Sequence, residues 1–441
     1  MTSARARRFA SLSILFAVLV GFYAATHSHR GITDTDLNSL QTRSLVLHGD
    51  VDLARYSDNP ARGSQLGELD GHVYSIYGVG ISLVAAPIYA VLVRTDASES
   101  MLQGAIGSIF AAAAAVVLGL VLLELVPVAI AVSATLAFAL GTTMWPVASM
   151  GLFQQGPVVF LVSVGLVGLF SSKGYGPAIA GAGFASAAFV RPTVAISCAV
   201  VGAYFFTRGR RSAVSFAAGA FLPLFALVFS NRWIWGTWLE GGYAHHGVGF
   251  NADAPTSFVG LTIGWWRGVF VYSPFLALGV VGFVLALGNV REDFERRLTA
   301  LGVASLATLL FYSKWDDWGG GINQFGYRLQ LEIVPYLVVL GAFAVARVPR
   351  LRMPGAFLAL VSILTMTWGA VDSPDRWDAV LFASEFGDTP IGRAWANLLD
   401  DPLSGLSLLG GVAVIAIIMF VLGTMLRPNN APVAPTPPGV A

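Results

Sequence analysis

The chain has 441 residues, 56% of them hydrophobic and only 12% charged, with a mean hydropathy of +0.71 and a net charge of +1. Soluble domains carry about a quarter charged residues, so the composition excludes a soluble enzyme on a membrane anchor, a disordered chain and a nucleic-acid-binding protein. The single cysteine, Cys198, excludes an intrachain disulfide and a cysteine metal cluster.

Apolar runs predict membrane spans near 9–26, 75–93, 102–123, 127–143, 156–171, 177–206, 213–231, 263–288, 298–312, 328–346, 354–370 and 406–426. Lipid offers the backbone no hydrogen-bond partner, so such runs are helices or a closed barrel. Strict alternation in ten-residue segments is absent, which leaves helices. The expected fold is an all-α polytopic transmembrane helix bundle of about 11–13 spans, best counted as twelve, in one domain over 1–426. Arg5, Arg7 and Arg8 precede the first run as they would in a signal peptide, but eleven further runs favour an uncleaved span.

Arginine sets the expected orientation. Clusters at Arg208/Arg210/Arg211, Arg291/Arg296/Arg297 and Arg347/Arg350/Arg352 fall in short connections, as the positive-inside rule requires of cytoplasmic segments. They alternate with longer acidic loops at 232–262, 313–327 and 371–405, and all six histidines lie in predicted outer loops. Both termini then face the cytoplasm, and the proline-rich tail 427–441 reads as a disordered end. With 24 arginines against two lysines the chain fits a GC-rich bacterium, whose cytoplasmic membrane it would cross many times.

The first outer loop, 27–74, carries Asp34-Thr35-Asp36 and then Leu37, Leu40, Ser44 and Leu45/Val46 at helical spacing. This predicts an amphipathic helix at the membrane surface, so that the loop is partly helical. An aspartate near its N-terminus serves as a helix cap or as a carboxylate that takes a proton or binds a metal. The loop closes on Asp70-Gly71-His72-Val73-Tyr74-Ser75-Ile76-Tyr77-Gly78-Val79-Gly80, whose tyrosines are interfacial anchors or lipid contacts. Two later segments gather seven of the 11 tryptophans. One runs from Trp233 through Tyr243 to Trp265-Trp266-Arg267, and the other is Lys314-Trp315-Asp316-Asp317-Trp318 followed by Gly326-Tyr327-Arg328. Aromatic faces beside carboxylates suit a sugar ring, and a cation at a span mouth suits a phosphate.

At these residues the chain resembles polytopic membrane glycosyltransferases of the GT-C superfamily, and more narrowly the bacterial branch related to aminoarabinose and protein O-mannosyl transferases. The likeness rests on the acids opening the first outer loop, Gly71-His72-Val73-Tyr74-Ser75-Ile76-Tyr77, and Gly141-Thr142-Thr143-Met144-Trp145-Pro146. It continues through Arg191-Pro192-Thr193, Arg267 to Pro274, Trp318-Gly319-Gly320 and Gly326-Tyr327-Arg328. The resemblance implies inverting transfer of a sugar from a polyprenyl-phosphate donor to a glycan, lipid or protein acceptor, on the extracytoplasmic face. It maps the general base onto Asp36, with Asp34 the neighbouring choice. The expected donor phosphate and lipid contacts are Arg267, Arg328, Lys314, Tyr74 and Tyr77. Sugar or acceptor contacts are expected at His72, Trp315, Asp316, Asp317, Trp318 and Tyr243. A divalent metal, if one is used, would sit on Asp34 and Asp36. Two departures stand out: Ile76 and Val79 replace a lysine and a proline common in the family, and no charge follows Trp145-Pro146. The resemblance also puts Trp145 on the outer side, against the simplest crossing count. The rival readings are a transporter or flippase of lipid-linked sugars, disfavoured by the absence of a clear repeat, and a non-catalytic envelope scaffold.

Overall fold

The computed structural model describes residues 3–27, 33–56, 65–245, 247–320, 325–371, 391–392, 396 and 409–418. The tail 427–441 and nearly all of the loop 371–405 lie outside these. Apart from one short hairpin the described residues are helical: α1 (Ser3–Ala25), α2 (Thr33–His48), β1 (Leu66–Leu69), β2 (His72–Ser75), α3 (Gly80–Leu92), α4 (Glu99–Leu125), α5 (Val128–Leu140), α6 (Gln155–Phe170) and α7 (Gly176–Val190). There follow α8 (Ala195–Thr207), α9 (Arg210–Trp235), the short α10 (Gly242–His245), α11 (Ala254–Thr262), the short α12 (Val269–Tyr272), α13 (Ala277–Leu287), α14 (Asp293–Lys314), α15 (Val334–Arg347) and α16 (Arg352–Val371). Four helical stretches are long and apolar enough to cross a membrane, Glu99–Leu125, Arg210–Trp235, Leu329–Arg347 and Pro349–Ala370, and eight shorter apolar helices join them.

Side-chain bonds fix the two ends of the bundle. At one end, Tyr23 of α1 donates to the Ala139 carbonyl of α5 at 2.8 Å, and the Trp145 indole donates to Thr26 at 2.9 Å. Gln103, near the start of α4, donates to Asp36 of α2 at the same end. At the other end, Asp293 of α14 accepts from Tyr204 of α8 at 3.0 Å, while Arg297 donates to the Leu169 carbonyl of α6 at 3.0 Å. Between these ends run α1, α4 through α9 and α13 through α16, and the described helix 409–418 starts beside Phe22.

These elements differ from the sequence reading in two places. The run 75–93 contains α3, which does not pass between the ends. Its first residue, Gly80, abuts the Phe189 carbonyl at the end of α7, and Tyr89 donates to Glu99 at the start of α4 at 3.0 Å. The helix therefore lies across the end of the bundle, with Ile81, Ala85 and Tyr89 buried and Leu83 and Val91 exposed. Conversely, 177–206 is two passes, a hairpin of α7 and α8 that breaks at Arg191-Pro192. Proline cannot continue the hydrogen-bond ladder. Both changes together leave Trp145 at the Asp36 end, where the resemblance requires it.

The bundle packs through small residues, which let backbones approach closely. A Cβ on Gly183 of α7 would lie 2.4 Å from the Gly165 nitrogen of α6, and one on Gly181 would lie 2.1 Å from the Phe216 carbonyl of α9. A smaller core of Leu37, Leu40, Leu53, Ile76 and Tyr77 sits under the first loop. Above it β1 and β2 pair antiparallel through Asp70-Gly71, whose φ angles of 51° and 79° suit a two-residue hairpin turn.

Candidate active site

The Asp36 end of the bundle encloses a cavity of about 890 Å³. Its walls come from the first turns of α2, the loop before α3, the 153–155 segment before α6, the α7–α8 break, the end of α9 with the following loop, and the 312–329 region. Every one of these is a helix terminus or connection, where side chains project freely and backbone groups remain unpaired.

Asp34 sits on the wall in the first turn of α2, 8% exposed. One carboxylate oxygen accepts from the Tyr77 hydroxyl at 2.5 Å, and the other is ion-paired with Arg328. Burial, and then the Asp34 charge, push the Tyr77 hydroxyl far above its usual range, so it remains a proton donor. Burial works against the Arg328 charge, but Asp34 more than offsets this. Arg328 also lies 5.8 Å over the Phe153 ring. One turn along α2, Asn38 donates its amide to the Leu152 carbonyl at 2.9 Å. Gln154 likewise donates to the Tyr77 carbonyl at 2.7 Å. In both cases the NH2 end of the amide is tied to the backbone, which orients the side chain against its wall.

A second buried cluster closes the far side. Arg191, at the α7–α8 break, donates to the Tyr312 hydroxyl at 3.0 Å and pairs with Glu332 at 3.2 Å. Thr193 donates to Glu332 at 2.9 Å and accepts from Tyr312 at 2.9 Å. Arg191, Thr193 and Tyr312 line the cavity. Over them stands an aromatic group, with Tyr243 edge-on to Tyr77 at 5.9 Å and to Trp315 at 5.6 Å. Burial raises the Tyr243 hydroxyl to about 12.

Of the residues singled out from sequence, the cavity gathers Asp34, Tyr77, Arg328, Tyr243, Trp315 and Asp317. Asp36 does not line it: its carboxylate faces away and accepts from Gln103 at 2.9 Å. Residues 34 and 36 are about 200° apart on a helix, so α2 cannot present both to one space. The Asp-x-Asp triplet therefore does not converge on a metal, and no group of three or more metal-ligating side chains occurs among the described residues.

Arg267 is buried behind the site, donating to the Gly319 carbonyl at 2.6 Å and the Gly326 carbonyl at 3.1 Å. It fastens the loop that carries Arg328 and is placed to hold that loop rather than a phosphate in the cavity. Asp316 accepts from the Gly249 and Asn251 amides at 3.0 and 2.7 Å, which pins one outer loop to another. His72 lies on the exposed hairpin, 2.8 Å from Asp52, and Tyr74 packs edge-on to Trp235. Trp318 stacks on Trp266 at 6.1 Å, and the Lys314 side chain is exposed. None of these six predicted residues, Arg267, Asp316, His72, Tyr74, Trp318 and Lys314, lines the cavity.

Glu332 was not singled out, and Thr193 entered only within the Arg191-Pro192-Thr193 segment. A lone acid four residues into an apolar stretch was the available signal, because an ionisable group near a span calls for a partner. Arg191, named above only as part of the resemblance, is that partner.

The fold has a likeness among solved structures. The likeness is to the crystal structure of ArnT from Cupriavidus metallidurans bound to undecaprenyl phosphate, with a TM-score of 0.53 and 15% identity, over 94% of this chain and 76% of that one. No protein-family model matches the chain, and no curated protein matches its sequence.

Proposed function

We propose that this protein is a membrane glycosyltransferase that moves a sugar from a polyprenyl-phosphate donor to an acceptor hydroxyl, with the cavity facing away from the cytoplasm. The observation that carries the reading is Asp34 and two buried arginines, Arg191 and Arg328, on the walls of one cavity roofed by Tyr243 and Trp315. A GT-C fold and a solved structure of similar fold that binds undecaprenyl phosphate support the donor class.

Asp34 takes the role of general base. It removes the acceptor proton as the acceptor oxygen attacks the anomeric carbon from the face opposite the phosphate, which inverts the centre. The anomeric carbon–oxygen bond breaks and its electron pair stays on the lipid phosphate, which leaves without needing a proton. Arg328 and Arg191 stabilise the charge that develops there. Arg328 thereby supplies a cation where the family lysine is replaced by Ile76. Tyr243 and Trp315 offer rings against which a sugar can lie.

The test is turnover by the purified protein with a panel of polyprenyl-phosphate sugars, comparing Asp34→Asn with Asp36→Asn. Loss in the first and retention in the second is expected. Turnover that survives Asp34→Asn would remove the base assignment. Absence of turnover and of donor binding with every sugar would favour transport or scaffolding instead.

A further inference from the structure

The same carboxylate proposed as the base is ion-paired with the same arginine proposed to receive the phosphate. Both side chains are nearly enclosed, with 11% and 12% of their surface exposed. A carboxylate with a guanidinium on one oxygen and a tyrosine hydroxyl on the other has both oxygens engaged before any acceptor arrives. Neither charge can leave the other without a substitute, since an unpaired buried charge is costly.

We infer that Arg328 is a latch on the catalytic base: the donor's phosphate draws Arg328 off Asp34, and only then is Asp34 free to take the acceptor proton. This inference rests on the proposed transferase reading. Phosphate is the one substrate group that replaces what Arg328 loses, as a bidentate acceptor for its guanidinium. The acceptor hydroxyl replaces what Asp34 loses. The exchange gives the reaction an order, donor before acceptor. The site also has a structural reserve for it. The Nε of Arg328 is buried without a hydrogen-bond partner, so the guanidinium does not meet all its needs in the paired state. Phe153 beneath the guanidinium supplies a face over which it can shift without entering a bare apolar wall. The Asp34 end is kept still by Tyr77, whose own carbonyl is bonded by Gln154.

Because pairing with Asp34 competes with pairing to phosphate, the two equilibria are linked. Removing the carboxylate should tighten binding of the donor's lipid phosphate even as it abolishes transfer. The experiment measures the affinity of the full-length protein in lipid nanodiscs for undecaprenyl phosphate, by calorimetry, in wild type, Asp34→Asn, Arg328→Gln and the double variant, with folding checked by thermal unfolding. Contacting buried charges commonly couple by 0.5–3 kcal/mol, so a tightening of about tenfold, equivalent to 1.4 kcal/mol, is expected in Asp34→Asn. The gain should vanish in the Arg328→Gln background. Asp317→Asn, which also removes a cavity carboxylate, measures the effect of lost negative charge alone and should give a smaller gain. An equal gain in Asp317→Asn, or one that persists without Arg328, would overturn the latch while leaving the donor reading intact. Failure of the wild type to bind undecaprenyl phosphate would overturn both. Asp34→Ala serves in place of Asp34→Asn if the latter does not fold, because the coupling is read from loss of the charge.

Discussion

Arginine–carboxylate pairs occur around the cavity and at the opposite end of the bundle, and the two sets are built differently. At the cavity end, Arg191–Glu332 and Arg328–Asp34 are buried, each side chain no more than 12% exposed. At the opposite end, Asp293 gathers Arg208, Arg296 and Arg297, with exposures of 18–41% among the arginines and 28% for the acid. The second arrangement is what a helix terminus near water tolerates cheaply, where an exposed pair contributes ~0–1 kcal/mol. The first carries a desolvation cost that pairing only partly repays. A protein selected for stability alone would gain by replacing such pairs with apolar side chains, so their presence around a cavity marks use.

Four substitutions and one condition probe that contrast. The largest effect is expected for Asp34→Asn, which should lower kcat by ~10²–10⁴-fold, the usual contribution of a positioned base. Asp36→Asn, at a side chain that accepts from Gln103 and does not line the cavity, should cost less than about tenfold. Equal losses in steady-state rates would erase the distinction between the two acids. Next, Glu332→Leu leaves Arg191 buried with its charge uncompensated and should cost ~3–5 kcal/mol, seen as a large fall in Tm. At the other end Arg208→Ala should cost less than ~1 kcal/mol, and a larger measured loss would contradict the distinction by burial. The smallest effect concerns the hairpin. Burial opposes the Asp50 and Asp52 charges, but hydrogen bonds from Ser44 and Arg55 to Asp50, and from His72 and the Ala54 and Val73 amides to Asp52, hold both carboxyls below their usual range. Lowered folded values mean stability that is complete above the unfolded pKa of ~3.9 and lost as pH falls through the folded value. Proteolysis around residues 50–75 should therefore accelerate below about pH 4.

Composition and apolar runs were enough to read a helix bundle and the positions of most passes. They were insufficient at α3 because hydropathy measures how apolar a segment is, not which way it lies. A one-sided apolar helix at a surface and a short span look alike. The length of 177–206 and its Arg191-Pro192 pair did signal a break, since thirty residues exceed a single crossing. Asp70-Gly71 between two alternating stretches was a readable hairpin signal. Within the site, the first outer loop identified the acid pair, and the Trp315 and Arg328 segments proved to meet it. Choosing Asp34 over Asp36 required knowing which face of α2 turns inward. That is decided by Gln103 and Arg328, which are 67 and 294 residues away from their partners. Arg267 shows the opposite failure: a cation near a motif proved to brace a loop through backbone carbonyls, a role no spacing reveals.

The hairpin of α7 and α8 has an electrical consequence. Because the chain turns back at Arg191, that charge stands at one end of the bundle beside Thr193, and Asp34, Arg328 and Asp317 stand with it. A charge moved across a full bilayer couples to the membrane potential by about 2.3 kcal/mol per 100 mV. An exchange of partners among groups that share one end moves charge through only a small part of that field. Transfer in sealed vesicles should accordingly run at the same rate whether the membrane is polarised or not.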